Sequence, residues 1–297
     1  MDLQQLYYFI MVTEHATFTA AAEKLHISQP SLSTSIKKLE KEMGFELLDR
    51  SKRDLRLTNE GKILYQEAKK LLIHFDHVSE EMSRLKKEGP LELSIGIIES
   101  SKFWVPKVLT QFTQEYDNVF IRLFEVLSLK DVEQALDNFE IHLAITNQYI
   151  NGENIDLIPL YDEKLVAVIP NSNLLKNKSF VTIKDLENEQ LIIAKKGFQT
   201  RTDILNAFRK AGIKPNIQFE IGRFETAIDL VEAGLGITVA PENYVKHIYR
   251  SNFHFKRIHD SNLSRTVYLA YDTNRYLPPL VDKFIRLVKD NFGKSYT

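Results

Sequence analysis

Cysteine is absent from all 297 residues. That excludes disulfides, thiolate metal sites and cysteine-based redox sensing. No run of about 18 apolar residues occurs, so no membrane-spanning helix is expected. The opening Met1-Asp2-Leu3-Gln4-Gln5 lacks a basic stretch leading into an apolar one, which predicts no secretion signal and a cytoplasmic protein. Charge of one sign is also lacking. The formal net charge is -1, so any surface made for nucleic acid must be a local one. Internal repeats and low-complexity tracts are missing. So are a phosphate loop, a dinucleotide glycine pattern, a nucleophile elbow and an H-E-x-x-H motif, which argues against an enzyme. The eight histidines show no metal-ligand spacing. His74 and His77, three apart, read as solvated, and neither metal nor cofactor is expected.

What is present is ordinary for a globular protein: 43% hydrophobic and 27% charged residues, on a chain long enough for two or three domains. Asp2 with Gln5 three positions on predicts a capping box, and Leu6, Phe9, Ile10 and Thr13 keep one helix face inward. Thr17 caps a second helix whose inner face is Phe18, Ala21, Ala22 and Leu25; the alanines permit a close, steep crossing. After a short break Ser28 caps a third helix with Pro30 in its first turn. Leu32, Ile36, Leu39 and Met43 form its buried stripe, and Gly44 ends it. Its other face carries Ser31, Ser33, Thr34, Lys37, Lys38 and Lys41.

Two short helices separated by a tight turn describe a helix-turn-helix. Hydroxyls, an amide and a helix N-terminus suit phosphates and base edges, and lysines suit phosphates. A surface helix with a solvated lysine face is the alternative. The run Leu47 to Thr58 that follows has apolar ends and a basic middle with Arg50, Lys52, Arg53 and Arg56, as a hairpin wing beside a recognition helix would.

Taken together, Phe18 to Leu25, Ile27-Ser28-Gln29-Pro30-Ser31-Leu32-Ser33, Ile36, Leu39-Glu40, Gly44, Leu47, Arg50, Leu57-Thr58 and Gly61 resemble the DNA-binding domain of the LysR-type transcriptional regulators. The resemblance spans about sixty residues without a gap. It implies a homodimer or homotetramer on double-stranded DNA, with the third helix in the major groove, and contact with RNA polymerase during activation. By position it assigns DNA contacts to Gln29, Ser31 and Ser33, with Pro30 shaping the helix start and Arg53 in the wing; Thr34, Lys37 and Arg50 complete the expected DNA-binding set. Thr34 and Ser35 stand where members often carry arginine or glutamine, so the base preference does not transfer. Leu48 replaces a usual phenylalanine.

The pattern stays helical from Thr58 to Glu88. Leu64, Leu71, Val78 and Leu85 recur every seventh residue, with Ala68, Phe75 and Met82 between them, as in a coiled-coil seam. A helix packed on its own domain is the alternative, with a wider apolar stripe. A two-fold seam would hold two recognition helices about 34 Å apart, as half-sites require. Gly89-Pro90 stops the helix. The expected organisation is a winged helix-turn-helix over 1–58, a linker helix over 59–89 and an effector domain over 90–297.

Beyond residue 90 strands and helices alternate twice, which predicts two parallel α/β lobes with ligands at the carboxyl ends of strands. The fold class is α+β overall. The resemblance implies an effector domain like periplasmic binding proteins, lobe I over 91–161 plus 268–297 and lobe II over 162–267, with the chain crossing twice. Val231-Glu232-Ala233-Gly234-Leu235-Gly236-Ile237 before Pro241 looks like the family's second-lobe signature. A small-molecule effector is expected at Ser100, Ser101, Lys102, Ser128, Thr146, Gln199, Thr200 and Arg201. Each serine or threonine here has an alternative role as a plain helix cap. The hydroxyls, helix N-termini and cations suit a small carboxylate, whereas Glu99 beside them would favour a cationic or amine-bearing ligand.

Overall fold

The computed structural model describes residues 1–49, 55–86, 91–248, 252–259 and 263–292, and of residues 80, 81, 84 and 85 the backbone alone. The expected Arg50 and Arg53 contacts and the Gly89-Pro90 stop lie outside the described residues, as does the Leu85 side chain. The chain forms two compact units, Met1–Gly89 and Pro90–Thr297.

The first unit is built on caps that the sequence signals locally. Helix α1 (Leu3–His15) begins with the complete Asp2/Gln5 capping box, which also explains why a polar Gln5 is buried. Helix α2 (Phe18–Leu25) is capped by Thr17 and buries Ala21 and Ala22. Helix α3 (Gln29–Met43) is capped by Ser28 and ends at Gly44, which is left-handed at φ 82°. Leu32, Ile36 and Leu39 are fully buried against Phe9 and Val12 of α1 and the two alanines of α2. The wing pairs β1 (Leu48–Asp49) with β2 (Arg56–Leu57) antiparallel. The Glu40 carboxylate accepts the Leu47 and Leu48 N–H groups at 2.9 and 3.3 Å, tying the wing's first strand to α3.

Helix α4 (Asn59–Leu85) follows. Gly61 sits so close to the wing that an added Cβ would lie 2.0 Å from the Leu47 carbonyl oxygen, so only glycine fits there. Two expected seam residues are used differently. Ala68 is buried with Leu6 and Ile10 of α1, and Leu64 packs on the same cluster. The first turns of α4 are thus covered by their own domain, because α1 presents an apolar face to them. Leu71, Phe75, Val78 and Met82 remain 44–51% exposed. His77, expected to be solvated, is buried, with its ring 6.4 Å from that of His74.

The second unit contains two lobes joined by two long strands. In the first lobe β3 (Leu91–Ile97) pairs in parallel with β4 (Val119–Glu125) and β5 (Leu143–Thr146), with α5 (Val105–Glu115) and α6 (Leu129–Asp137) as crossovers. The long strand β6 (Ile155–Pro170) carries the chain into the second lobe. There β7 (Gln190–Ala194) pairs in parallel with β8 (Asn216–Ile221) and β9 (Ile237–Pro241), around α7 (Gln199–Lys210) and α8 (Phe224–Glu232). A short helix α9 (Glu242–Lys246) and strand β10 (Phe253–Arg257) come next. Strand β11 (Ser264–Asp272) returns antiparallel to β6, and α10 (Pro279–Phe292) closes the first lobe's core.

The sheets are therefore mixed rather than wholly parallel: β6 and β11 run antiparallel to their neighbours on both sides. Crossing strands cannot keep the direction of both lobes' parallel cores. No helix among the described residues is long and apolar enough to cross a membrane.

Candidate DNA-binding and effector sites

Helix α3 presents Gln29, Pro30, Ser31, Thr34 and Lys37 to solvent, and Ser33 is half-buried beside them. Two hydroxyls of this face have local partners. The Ser28 and Ser31 Oγ atoms share a hydrogen bond at 2.7 Å, and Thr34 Oγ1 donates to the Pro30 carbonyl at 2.8 Å. Both oxygens keep lone pairs for a donor, while Gln29 and Lys37 extend from the same face. The helix core behind them is rigid, because its inward side is fully buried. An amide, three hydroxyls and a lysine on one exposed helix face are what contacts to base edges and phosphates need.

The effector site is built at the end of β3, where the chain turns into a short 3-10 helix, Glu99–Phe103. Ser100 Oγ donates to Glu163 Oε2 on β6 at 3.0 Å. Arg265 on β11 donates to the same oxygen from Nε at 3.0 Å and Nη2 at 2.8 Å, and from Nη1 to Thr200 Oγ1 at 2.6 Å. One buried ion pair on the two crossing strands thus joins a hydroxyl of the first lobe to a hydroxyl of the second. Glu163 is 1% exposed and Arg265 7%, so removing either partner would strand a buried charge.

Around this pair the two lobes meet closely. Ile98, Glu99, Ser100, Leu127, Asn147, Phe198, Gln199, Thr200, Phe224 and Arg265 enclose about 20 Å³, room for roughly one water. A larger ligand needs more room than this half-open gap offers. Gly197 of the second lobe comes so near the first that a Cβ there would lie 3.5 Å from Ser128 Cβ. Arg223 pairs with Glu125 at 2.7 Å, and the Phe103 ring stacks on His247 at 4.5 Å.

Glu99 makes the most unusual contact. Its carboxylate accepts the Phe224 N–H at 3.0 and 3.3 Å. Phe224 opens α8, whose N-cap Arg223 supplies no side-chain cap, so a residue of the first lobe caps a helix of the second. Burial pushes the Glu99 carboxyl up from 4.5 to about 7, against the stabilising Phe224 hydrogen bond; Glu125 adds to the rise, and Lys102 and Arg223 oppose it.

Of the expected effector residues, Ser100, Gln199 and Thr200 line the enclosure. The others serve elsewhere. Ser101 is fully buried and donates to the Ile98 carbonyl at 2.8 Å, shaping the turn. Thr146 is fully buried and accepts the Gln148 N–H at 3.0 Å. Ser128 caps α6 in a capping box with Asp131. Lys102 holds its ammonium 4.5 Å over the Tyr244 ring. Arg201 donates to the Ala194 carbonyl at 2.9 Å and pairs with Glu220 at 2.7 Å, which fixes α7 to its own sheet. Neither cation faces the enclosure, because each finds a nearer partner in its own surroundings. Sequence reasoning missed Arg265, Glu163, Asn147 and the apolar walls Ile98, Leu127, Phe198 and Phe224. These come together only through strand crossing and carry no local signal.

The bacterial regulatory helix-turn-helix model of the lysR family matches residues 3–62, and the LysR substrate binding domain model matches residues 87–293. The chain belongs to the LysR family. A Bacillus subtilis regulator, YybE, is 30% identical over 99% of this chain and all of its own length. BenM of Acinetobacter baylyi is 31% identical over 91% of this chain and 90% of its own. Among solved structures, full-length CbnR complexed with its target DNA has a TM-score of 0.74 at 24% identity, covering 98% of this chain and 99% of CbnR. This LysR-type protein is a DNA-binding transcriptional regulator with an effector-binding domain, and not an enzyme.

The raised Glu99 carboxyl has a stability consequence whose sign is fixed. A carboxyl that titrates higher folded than unfolded holds more protons when folded between the two values, so its contribution worsens as pH rises from about 4.5 to about 7. Glu99→Gln keeps an oxygen for the Phe224 N–H and removes the titration. Urea unfolding of the two proteins side by side is expected to show near parity at the acid end of that range. At the neutral end the variant is expected to lead by up to about 3 kcal/mol. A difference independent of pH would show that Glu99 is not buried as described.

Proposed function

We propose that this regulator grips double-stranded DNA through Gln29, Pro30, Ser31, Ser33, Thr34 and Lys37 of α3, assisted by Arg50 and Arg53 of the wing. The observation that carries the reading is the exposed amide, hydroxyl and lysine face of α3 above a fully buried opposite face. Two copies pair through the outer part of α4. Leu71, Phe75, Val78 and Met82 follow a four-three-four spacing and are all exposed, so covering them removes substantial apolar surface from water. The protein works in the bacterial cytoplasm and meets RNA polymerase when it activates. A small effector that occupies the enclosure at Ser100, Gln199, Thr200 and Arg265 resets the angle between the lobes, and through the dimer the spacing of the two α3 helices.

The domain limits follow the same division of labour: DNA contact over 1–58, pairing over 59–89 and sensing over 90–297, with lobes 91–161 plus 268–297 and 162–267. Support for the lobe division comes from separate cores. One centres on Leu93, Phe112 and Phe284, the other on Ile193, Phe208 and Val239.

Two experiments test this. In a fluorescence-anisotropy titration against the DNA upstream of its own gene, Lys37→Ala is expected to weaken binding and lower the salt slope by about one per copy, hence by about two for the pair. Gln29→Ala is expected to reduce the preference over unrelated DNA, at about 1–3 kcal/mol for a lost base contact. Unchanged affinity, slope and preference would remove α3 as the contact surface. In sedimentation, Phe75→Asp is expected to yield monomers at concentrations where the parent protein is associated. Native association with intact secondary structure would place the interface elsewhere.

A further inference from the structure

We infer that the effector of this protein carries a protonated amine, recognised by Glu99, and that a carboxylate group alone does not suffice. This rests on the proposal that the enclosure between the lobes is the effector site, and it names the chemistry that the enclosure selects.

The charges that line the enclosure are unevenly matched. Arg265 is the only cationic side chain lining it among the described residues. Three of its five N–H groups are engaged, two with Glu163 and one with Thr200, and the Glu163 carboxylate balances its charge. Lys102 and Arg223 act on Glu99 through space without a hydrogen bond to it, and both contact other groups. Lys102 sits over the Tyr244 ring, and Arg223 pairs with Glu125. Glu99 lines the enclosure and is only 7% exposed, yet its one hydrogen-bond donor is a backbone N–H. A carboxylate buried without a cation is costly, and its burial is repaid when a charged donor arrives.

Neighbouring groups point the same way. Glu163 Oε1 is buried with no hydrogen-bond partner, and so is Asp203 Oδ2 close behind Gln199 on α7. Burial raises the Asp203 carboxyl, as it does that of Glu99. The region therefore has surplus acceptors and no spare positive charge. An incoming carboxylate without an amine would meet the Glu99 carboxylate at close range, whereas an ammonium would neutralise it.

The Asn147 side chain lines the enclosure, is 8% exposed and makes no hydrogen bond among the described residues. It stands ready for either a carboxylate or a hydroxyl of the ligand. Ile98, Leu127, Phe198 and Phe224 supply apolar walls, so the body between the polar ends is a short hydrocarbon or an aromatic ring.

The test is a thermal-shift and calorimetric comparison on the full chain with two matched sets of probes at millimolar concentration. These are pentanoate, norvaline and pentylamine, and 3-phenylpropanoate, phenylalanine and phenethylamine. Each set holds the skeleton constant while the acid, the amino acid and the amine are exchanged. Amine-bearing members are expected to stabilise the parent protein, with the amino acid against the plain amine deciding whether Asn147 receives a carboxylate. Glu99→Gln is expected to weaken that binding about tenfold or more, as for a lost charged hydrogen bond, with its secondary structure intact by circular dichroism. Stabilisation by the plain acids that persists or strengthens in Glu99→Gln would overturn the amine requirement while keeping the enclosure as the site, provided Thr200→Val abolishes it. A response to amines that survives both Glu99→Gln and Thr200→Val would reject the enclosure itself. No response to any amine-bearing probe would also overturn the inference.

Discussion

The effector domain turns on one buried ion pair. Glu163 and Arg265 sit on the two strands that carry the chain between lobes, and each lobe contributes one hydroxyl to the pair, Ser100 and Thr200. Such a pair adds little net stability, because desolvation offsets much of the attraction. Its value is positional. Rotation of one lobe against the other would stretch the Ser100 and Thr200 bonds to this pair, because the two hydroxyls come from different lobes.

Glu99 adds a second cross-lobe restraint of a different kind. A helix N-terminus facing a cleft is ordinarily open to an anion. At α8 that position is filled by the protein's own carboxylate. The closing contacts are thus asymmetric in strength. The Arg223–Glu125 pair is solvent-exposed and screened, whereas Glu99 and the Glu163–Arg265 pair are buried and sensitive to whatever enters. The candidate effector residues are mostly buried, whereas the candidate DNA-contact residues of α3 are mostly exposed.

Legibility in the sequence followed locality. Helices α1 to α3 were readable because their caps and apolar stripes lie within one or two turns. The Glu40 tie to the wing was not, because a carboxylate on a lysine-rich face gives no hint of its partner. The heptad on α4 was visible, but spacing alone does not say what covers a residue, and α1 claims Leu64 and Ala68. Within β6, Pro159 is accommodated beside a register shift opposite Val267 and Tyr268. In the effector site the helix-start hydroxyls of Ser100 and Thr200 were legible. Arg265 and Glu163, distant along the chain and joined only by strand crossing, were not, and the nearer cations Lys102 and Arg201 drew the assignment that Arg265 holds.

The central claim is that the two lobes close directly over the buried pair, and the absence of native cysteine allows a clean measurement of it. Ser128 Cβ lies 3.5 Å from the Cβ position of residue 197, within the range of about 3.5–4.5 Å that a disulfide spans. Gly197 is left-handed at φ 93°, so the Gly197→Cys single variant serves as the control for local strain. In the double variant Ser128→Cys, Gly197→Cys, mild oxidation of the purified protein is expected to give a rapid cross-link within one chain, with DNA binding retained. Failure to cross-link while both thiols react freely with a small alkylating reagent would contradict the closed arrangement, and with it the enclosure on which the sensing mechanism depends.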